Sequence, residues 1–251
     1  MKQPTFSFVL ACYNERENIS ILVPRILDGF KGEALEIIFV DDGSTDGTLA
    51  LIDELAARYP FITAIRRQKL MGIGSALKAG FDRARGVYCI SFDCDLPIPI
   101  EDARKVAATI RTGRFDLVLG SRYLLDSFYE APNHGILKKK LVSRCANLFF
   151  KIANFINLSD FTFNCRGMKR EVWPLIRPES DNNFMLFEMV WRAHHRKLSI
   201  GEVPVRFFDR RLGSSKLVLG SEMRRCMKQF FALRRKYFLK RLSDPVFQSR
   251  D

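Results

Sequence analysis

Short apolar runs of β-type composition alternate with helical patterns through the first half of the chain. Between the runs lie predicted helices at about 17–30, 45–59 and 74–84. Such alternation predicts βαβ units and an α/β fold, with a mostly parallel central sheet flanked by helices. In such a sheet, ligands bind at the carboxyl ends of the strands. The predicted strands are Phe6–Ala11, Glu36–Val40, Phe61–Arg66, Val87–Phe92 and Phe115–Leu119.

The second half begins with a predicted helix over 136–158. It has a basic start and an aromatic middle, and apolar residues recur at 141, 148, 152, 155 and 156 with helical spacing. A strand-like IGEVPVRFF follows, and then a helix with one apolar stripe among many Arg and Lys residues. We expect a catalytic domain over 1–216, which includes the 136–158 stretch. A basic amphipathic helix and tail are expected over 217–251.

Charge is concentrated near the end of the chain. The net charge is +13, and the segment from Arg206 to Arg241 holds twelve Lys or Arg residues and two acids, a local charge of +10. Such a block suits anionic partners: phospholipid head groups, nucleotide phosphates or nucleic acid. With 47% hydrophobic and 27% charged residues, the composition excludes a disordered chain.

Neither a secretory signal nor a membrane-spanning run is evident, since no stretch approaches eighteen uninterrupted apolar residues. We therefore expect a protein that is soluble or lies on a membrane surface. The six cysteines contain no CxxC pair, so buried free thiols are expected. The three histidines lack the spacing of a zinc site.

Polar clusters follow the first two predicted strands. Residues 13–18 read YNEREN, and residues 40–48 read VDDGSTDGT. In the second cluster, an Asp can accept hydrogen bonds from a base or a ribose hydroxyl, and Ser44, Thr45 or Asp46 could cap the next helix. An Asp- and Gly-rich turn without a ligand is the alternative.

Asp93-Cys94-Asp95 follows the strand VYCISF. Two carboxylates at a strand end can reach one hard cation, and Mg²⁺ or Mn²⁺ completes its shell with substrate phosphates and water. The alternative is a surface loop with two solvated acids.

Two further segments could face phosphate groups. Residues 209–216, DRRLGSSK, form a cationic loop able to close over a diphosphate, or alternatively a solvated basic loop. Residues 72–76, GIGSA, begin like a dinucleotide fingerprint but follow the third strand, so we interpret them as a helix start.

Taken in order, these clusters resemble the family 2 glycosyltransferases of GT-A fold. The likeness is greatest to dolichyl-phosphate mannose synthases and bacterial polyprenyl-phosphate glycosyltransferases, and it runs from about Thr5 to Lys216. Its other landmarks are GxGxAxxxGxxxAxG before the DxD, GSRY at 120–123, SRCANLF at 143–149, SDFTFNCRGMKREV and IGEVPVRFFDRRLGSSK. The resemblance implies an inverting hexosyltransferase that acts on a polyprenyl or dolichyl monophosphate at the cytoplasmic membrane surface. GDP-mannose is the first choice of donor.

The resemblance also implies roles for particular residues. Asp93 and Asp95 would bind Mg²⁺ or Mn²⁺, with the Cys94 backbone nearby. Arg122, with Lys139 and Ser143, would meet the acceptor phosphate, and Asp95 would share in catalysis. Arg210 and Lys216, with Arg122, would lie along the donor. The nucleoside would contact Ala11, Tyr13, Glu15, Val40 and Asp42.

Four positions depart from the family's pattern: Ala11 replaces Pro, Cys94 replaces Ala, Pro97 replaces Gln, and Lys139 stands where Arg is expected. Pro97 cannot supply a side-chain metal ligand, so a water would take that place. Lys139 keeps the charge but loses the bidentate fork of Arg.

Several alternatives stay open at this point. The donor could be UDP-glucose or another UDP-sugar, and the acceptor could be soluble or a growing polysaccharide, although MVWRAHH is no match to the QxxRW signature of processive enzymes. A basic nucleic-acid-binding module is a distant alternative, since no nucleic-acid motif is present and acids at strand ends would repel phosphate.

The helices at 136–158 and 219–242 could lie at a membrane interface or pack on the domain. Oligomeric state, preferred metal and a membrane-protein partner stay undetermined.

Overall fold

The structure is a computed structural model that describes residues 3–95, 97–130, 132, 134–208 and 219–243, with side chains of the last helix described at 223–237. The chain divides into two compact units, Met1–Gly213 and Ser214–Asp251. The strands are β1 (Phe6–Cys12), β2 (Leu35–Asp41), β3 (Ile62–Arg66), β4 (Tyr88–Phe92), β5 (Leu117–Ser121), β6 (Phe128–Tyr129), β7 (Cys165–Lys169), β8 (Ile200–Pro204) and β9 (Arg206–Phe207). The helices are α1 (Arg16–Gly29), α2 (Thr48–Arg58), α3 (Ile73–Arg83), α4 (Ile100–Arg111), α5 (His134–Asn154), α6 (Trp173–Ile176), α7 (Phe184–His195) and α8 (Leu219–Ser243).

Seven strands form one sheet in the order β3-β2-β1-β4-β7-β5-β8. All neighbouring pairs are parallel except those of β7, which runs antiparallel to both β4 and β5. A small parallel pair, β6 with β9, forms a second sheet. The prediction of a mostly parallel α/β sheet is confirmed.

The strand β1 shows why helices lie on both faces of the sheet. Successive side chains of a strand point to opposite faces. Phe8 and Leu10 belong to a buried cluster with Ile19 and Ile26 of α1. Val9, between them, points the other way, where its side chain closely approaches Gly80 of α3.

The predicted strands and helices of the first half differ from the observed ones by at most three residues at either end, and the helix α4 was not predicted. The strand β7 was not predicted, because CRGMK lacks both an apolar run and a period-2 alternation. The segment IGEVPVRFF was predicted as one strand but forms two, β8 and β9. These two strands pair with different neighbours, β8 with β5 and β9 with β6.

The helix predicted over 136–158 is α5, which ends earlier, at Asn154. Phe155 has a φ of 55°. The N–H of Ile156 donates to the carbonyl of Lys151 at 3.2 Å, and that of Phe155 to the carbonyl of Ile152 at 3.4 Å. This is the hydrogen-bond pattern of a Schellman motif, in which a left-handed residue ends a helix.

The GIGSA segment behaves as a helix start, as predicted. Gly72 has a φ of 97°, and a Cβ added to Gly74 would lie 2.5 Å from the carbonyl carbon of Asp181. The N–H of Ser75 donates to the carbonyl of Asp181 at 3.0 Å. Close backbone packing therefore explains these glycines.

The expectation of buried free thiols is correct for most of the cysteines. All six are free, and Cys12, Cys89, Cys94 and Cys165 are buried. Cys145 on α5 is exposed and Cys226 is half-buried, which corrects the expectation for these two.

We predict that Gly74→Ala lowers the free energy of unfolding by about 1–3 kcal/mol, because the new methyl group would overlap backbone atoms of Asp181 and Asn182. Urea unfolding followed by circular dichroism measures the effect. Gly135→Ala, in the exposed first turn of α5, is the matched control and should cause no loss. An equal loss in both variants would contradict the packing explanation.

A second prediction concerns Glu36, at the amino end of β2. Burial raises the pKa of this carboxyl, but hydrogen bonds from Ser7 and from the backbone and side chain of Arg85 outweigh it and lower the pKa below its ordinary value of 4.5. The ionised carboxylate therefore stabilises the fold at pH values above its ordinary pKa, and this stabilisation is lost as the pH falls through the lowered pKa. Glu36→Gln should be less stable than the wild type by roughly 1 kcal/mol at neutral pH, and the difference should shrink near pH 3. A difference in unfolding free energy that grows on acidification would contradict this.

Candidate active site

The candidate site lies at the edge of the sheet where the parallel strands β1, β2, β4 and β5 end. Because β7 runs the opposite way, it begins at this same edge. The register pairs Phe92 with Cys165, so the residues just beyond them, Asp93 and Asn164, meet at the edge. The clusters after β1, β2 and β4, and Arg122 after β5, are therefore brought to the edge predicted for ligands.

The loops after β1 and β2 are tied together by hydrogen bonds. The N–H of Asn14 donates to Ser44 Oγ at 2.8 Å, and the N–H of Thr45 donates to Asn14 Oδ1 at 2.8 Å. The N–H of Glu15 donates to Thr48 Oγ1 at 2.9 Å. The two predicted nucleoside loops thus form one surface.

The predicted helix cap is partly correct. The helix α2 begins at Thr48, and Gly47, with a φ of 88°, precedes it without a side-chain cap. Asp46 nevertheless accepts hydrogen bonds from the N–H of Thr48 at 2.9 Å and from Thr48 Oγ1 at 2.6 Å. Of the three proposed residues, Asp46 satisfies a backbone donor of the first turn.

Asp42, a predicted nucleoside residue, is buried and accepts hydrogen bonds from the backbone of Met71 at 3.0 Å and of Gly72 at 2.9 Å. Arg67 Nε lies 3.2 Å from Asp42 Oδ1. Arg67 was not predicted as a site residue, although it directly follows β3. We call Asp41, Asp42 and Arg67 the Asp42 corner.

Two polar atoms of the Asp42 corner are buried without a hydrogen-bond partner among the described residues. They are Asp41 Oδ1, an acceptor, and Arg67 Nη1, a donor. Buried polar atoms are nearly always satisfied in folded proteins. Both residues lie at the carboxyl ends of neighbouring strands, β2 and β3, at the edge predicted for ligands. Val40, predicted beside it, is fully buried in β2.

Asp93 and Asp95 follow β4 as predicted. Asp93 Oδ1 accepts a hydrogen bond from Asn164 Nδ2 at 2.8 Å, and Asp95 is buried. The described residues contain no group of three or more His, Cys, Asp or Glu side chains that could hold a metal ion. Two carboxylates fit a hard divalent cation that takes its remaining oxygen ligands from phosphates and water.

The departures Ala11 and Cys94 contact each other: the thiol of Cys94 donates to the carbonyl of Ala11 at 3.4 Å. Burial, followed by nearby acidic groups, raises the pKa of the Cys94 thiol well above its ordinary value. Cys94 is therefore a neutral core residue. The third departure, Pro97, is buried, and its carbonyl accepts a hydrogen bond from Phe208 at 2.8 Å.

The structure places Arg122 differently from the exposed cation that a phosphate contact suggests. Its side chain is 9% exposed and forms two hydrogen bonds with fully buried Asp160, from Nε to Oδ2 at 2.7 Å and from Nη2 to Oδ1 at 3.0 Å. Nη2 also lies 3.2 Å from Ser143 Oγ and from Thr162 Oγ1. We call these four residues the Arg122 cluster.

Charge in the Arg122 cluster is balanced internally. Burial alone would lower the pKa of Arg122, but attraction to Asp160 and the hydrogen bonds between them raise it. The guanidinium also lies 4.5 Å from the ring centroid of Phe163, a cation–π contact. Lys139 is half-buried one helical turn before Ser143 and forms no ion pair among the described residues.

For some predicted site residues, the structure adds little evidence for the predicted role. Tyr13 and Glu15 are half-buried in the loop after β1, and Glu15 Oε2 accepts a hydrogen bond from Asn18 at 2.6 Å. Arg210 and Lys216 lie outside the described residues. Asp160 and Asn164, which were not predicted as site residues, both come from SDFTFN, a motif in which polar and aromatic residues alternate after Ser159.

Comparison with known proteins supports this fold. The family model for glycosyl transferase family 2 matches residues 7–174. A polyprenol monophosphomannose synthase of Mycolicibacterium smegmatis is 31% identical over 87% of this chain and 83% of the relative. A dolichol-phosphate mannosyltransferase of Pyrococcus furiosus is 32% identical over 84% of this chain, which spans 58% of that longer relative.

Among solved structures, the glucosyl-3-phosphoglycerate synthase of Mycobacterium tuberculosis is similar in fold, with a TM-score of 0.65 at 19% identity. The alignment covers 91% of this chain and 76% of that one, which was solved in complex with Mn²⁺, uridine diphosphate and phosphoglyceric acid. The sheet, the motifs at its carboxyl edge and these matches agree with one another. The chain belongs to glycosyl transferase family 2 and has the GT-A fold that its motifs predicted.

Proposed function

We propose that this protein is an inverting glycosyltransferase that transfers a hexose from a nucleotide-sugar to a polyprenyl monophosphate at the cytoplasmic surface of a membrane. Mannose from GDP-mannose is the proposed donor group, because the relatives named above are a polyprenol monophosphomannose synthase and a dolichol-phosphate mannosyltransferase. UDP-glucose is the second choice of donor.

The observation that carries the proposal is the two-sided character of α5. Toward the interior, Ser143 accepts a hydrogen bond from Arg122, and Asn147 is buried. The other side exposes large apolar side chains, and 93% of Phe155, just beyond the helix, is exposed. The exposed residues of this surface, which we call the α5 apolar surface, are Leu137, Leu141, Leu148, Ile152 and Phe155.

An acceptor with a phosphate head and a hydrocarbon chain explains both sides of α5. Contiguous exposed apolar surface marks a contact with a partner or a membrane. The backbone of Phe155 supports a functional role for this surface. A bulky residue in the left-handed region is strained, and such strain concentrates at functional sites. Among the described residues, no helix is both long and apolar enough to cross a bilayer. We therefore propose peripheral membrane association through the α5 apolar surface.

Basic residues would add electrostatic attraction to an anionic leaflet. Lys138 and Arg144 of α5 are exposed. The described part of α8 exposes six further cations: Arg224, Arg225, Lys228, Arg234, Arg235 and Lys236. Each Lys or Arg near an anionic membrane surface contributes about 1 kcal/mol.

The Asp42 corner is proposed to hold the nucleobase. Guanine and uracil each present an N–H donor next to a carbonyl acceptor. The carboxylates and the guanidinium of this corner could pair with either base, so the corner does not discriminate between GDP- and UDP-sugars.

Asp93 and Asp95 are proposed to hold Mg²⁺ or Mn²⁺. When bound, the metal ion would neutralise the negative charge that develops on the departing nucleoside diphosphate. Asn164 and the strand end of β4 hold Asp93 in place, which would limit reorganisation of this carboxylate during the reaction. Arg210 and Lys216 are proposed as further contacts to the diphosphate.

The Arg122 cluster is proposed to position the acceptor phosphate, with Ser143 as a hydrogen-bonding group. Because Asp160 balances the charge of Arg122, Lys139 would supply the uncompensated positive charge. A phosphate monoester with a second pKa of about 6 is largely dianionic at neutral pH and needs no general base. In-line attack by this phosphate gives inversion at the anomeric carbon.

The proposed reaction predicts metal-dependent transfer of radiolabelled mannose from GDP-mannose to short-chain polyprenyl phosphate, which is measured as label in the organic phase. Asp95→Ala should lower kcat by roughly 100- to 1000-fold, the usual cost of removing preorganised charge stabilisation. Asp53→Ala is the control, because Asp53 lies on α2 and forms an exposed ion pair with Arg66 that contributes little.

Full metal-dependent turnover by Asp95→Ala would contradict the proposed metal site. Transfer from UDP-glucose alone would replace the donor. Nucleotide-sugar hydrolysis without label in the organic phase would contradict the lipid acceptor and favour a soluble one.

If the α5 apolar surface contacts the membrane, the double variant Leu148→Asp with Ile152→Asp should bind phosphatidylglycerol vesicles roughly a hundred-fold more weakly. The reason is that burial of each large apolar side chain away from water is favourable by about 1.5–3 kcal/mol. Vesicle sedimentation at several salt concentrations measures this. Leu175→Asp on α6 is the matched control, since Leu175 is also exposed. Equal losses in both variants would contradict a role specific to α5.

A further inference from the structure

Residues 159–166, which lead from the end of α5 into β7, contact both halves of the proposed active site. We call them the 159–166 segment. Asp160 pairs with Arg122 on the proposed acceptor side. Asn164, four residues later, donates to Asp93 on the proposed metal side.

Asn164 is held on both sides of its amide. Its Nδ2 donates to Asp93 Oδ1 at 2.8 Å, and its Oδ1 accepts a hydrogen bond from Ser91 Oγ at 2.8 Å. Asn164 and Ser91 are both buried. A carboxylate is only an acceptor, so the amide nitrogen must face Asp93, and Ser91 then satisfies the amide oxygen. Ser91, Asn164 and Asp93 form a chain that fixes the carboxylate at the end of β4.

Asp160 is held equally firmly. Besides Arg122, its Oδ1 accepts a hydrogen bond from Asn147 Nδ2 at 3.2 Å, and Asn147 Oδ1 accepts one from the N–H of Phe161 at 2.8 Å. The carboxylate of Glu202 on β8 accepts hydrogen bonds from the backbone N–H groups of Ser159 at 2.9 Å and Asp160 at 3.1 Å. The start of the segment is thus fixed from α5 and from β8.

Arg166 fixes the middle of the segment from the protein interior. Its side chain is fully buried and donates to the carbonyl oxygens of Phe161, Phe163 and Leu186. The first two belong to the segment and the third to α7. Hydrogen bonds to backbone carbonyls specify the path of the chain, so this guanidinium sets where Asp160 and Asn164 lie relative to each other.

We propose that the 159–166 segment is a positioning element that fixes the two halves of the active site relative to each other. Asn164 positions Asp93 for the metal ion, and Asp160 positions Arg122 for the acceptor phosphate. Neither residue is assigned a contact with substrate. The roles of Asp93 and Arg122 rest on the proposed function.

The metal side is tested by isothermal titration of GDP and of UDP at several MnCl₂ concentrations. Asn164→Ala should raise the Mn²⁺ concentration needed for half-maximal nucleotide binding by roughly 10- to 100-fold, the usual effect of removing an outer-shell partner of a metal ligand. Ser91→Ala should have a smaller effect in the same direction. Asn154→Ala is the control, because Asn154 makes a comparable side-chain bond to Phe150 outside the segment.

The acceptor side is tested by steady-state kinetics with short-chain polyprenyl phosphate. Asp160→Asn keeps the shape of the side chain but removes its charge. This variant should raise KM for the acceptor by about 10- to 100-fold. The Mn²⁺ concentration required for nucleotide binding should stay as in the wild type. Nucleotide binding also reports that the variant is folded. If Asp160→Asn does not fold, Glu202→Gln loosens the segment while it retains the Arg122–Asp160 pair, and a smaller rise in acceptor KM is expected.

An unchanged Mn²⁺ requirement in Asn164→Ala would overturn the proposal. So would equal effects of the Asn164 and Asp160 variants on both readouts, which would indicate a general loss of structure. Failure of the proposed function is distinguishable, because Mn²⁺-dependent nucleotide binding does not depend on the acceptor. A wild type that binds nucleotide with Mn²⁺ but transfers no sugar to polyprenyl phosphate contradicts the acceptor alone.

Discussion

The antiparallel course of β7 between β4 and β5 is the constraint on which the site depends. Hydrogen bonding on both sides fixes the register of β7, with Phe92 opposite Cys165 and Leu119 opposite Arg166. A strand that runs against its neighbours begins where they end. The residues that precede β7 therefore lie at the carboxyl edge of the sheet, between the end of β4 and the end of β5. Had β7 been parallel, this edge would have received its carboxyl end instead.

Buried charge is the second feature that organises this edge. Arg122 with Asp160 and Arg67 with Asp42 are both ion pairs withdrawn from water. Such pairs add little to stability, because desolvation offsets most of their attraction, whereas the loss of one partner is costly. Arg166 is more unusual, since its hydrogen bonds go to carbonyl oxygens, and burial lowers its pKa to about 9. We interpret the two ion pairs and Arg166 as groups that fix the positions of side chains and loops at this edge of the sheet.

The helix α5 connects this polar edge to the surface. On its inner side, Ser143 hydrogen-bonds with Arg122, Asn147 hydrogen-bonds with Asp160, and Phe150 is buried against Phe187. Residues of its outer side leave apolar area in water, which is unfavourable unless something covers it. A lipid acceptor would place its phosphate and its hydrocarbon chain on the two sides of one rigid helix. Phe155 lies at the end of that helix, where the Schellman turn leaves its ring exposed.

Local sequence determined much of this protein. Strand and helix periodicity predicted the parallel sheet, and the polar clusters after β1, β2 and β4 predicted which edge carries the site, because both signals depend on neighbouring residues. The motifs also identified the family. Only the tertiary structure decided that β7 lies between β4 and β5, that Asn164 meets Asp93, that Arg67 pairs with Asp42 and that Asp160 neutralises Arg122. The three side-chain contacts join residues 25, 38 and 71 positions apart, and the strand pairs of β7 join residues still further apart. No local pattern encodes such pairings, since packing of the whole sheet selects them.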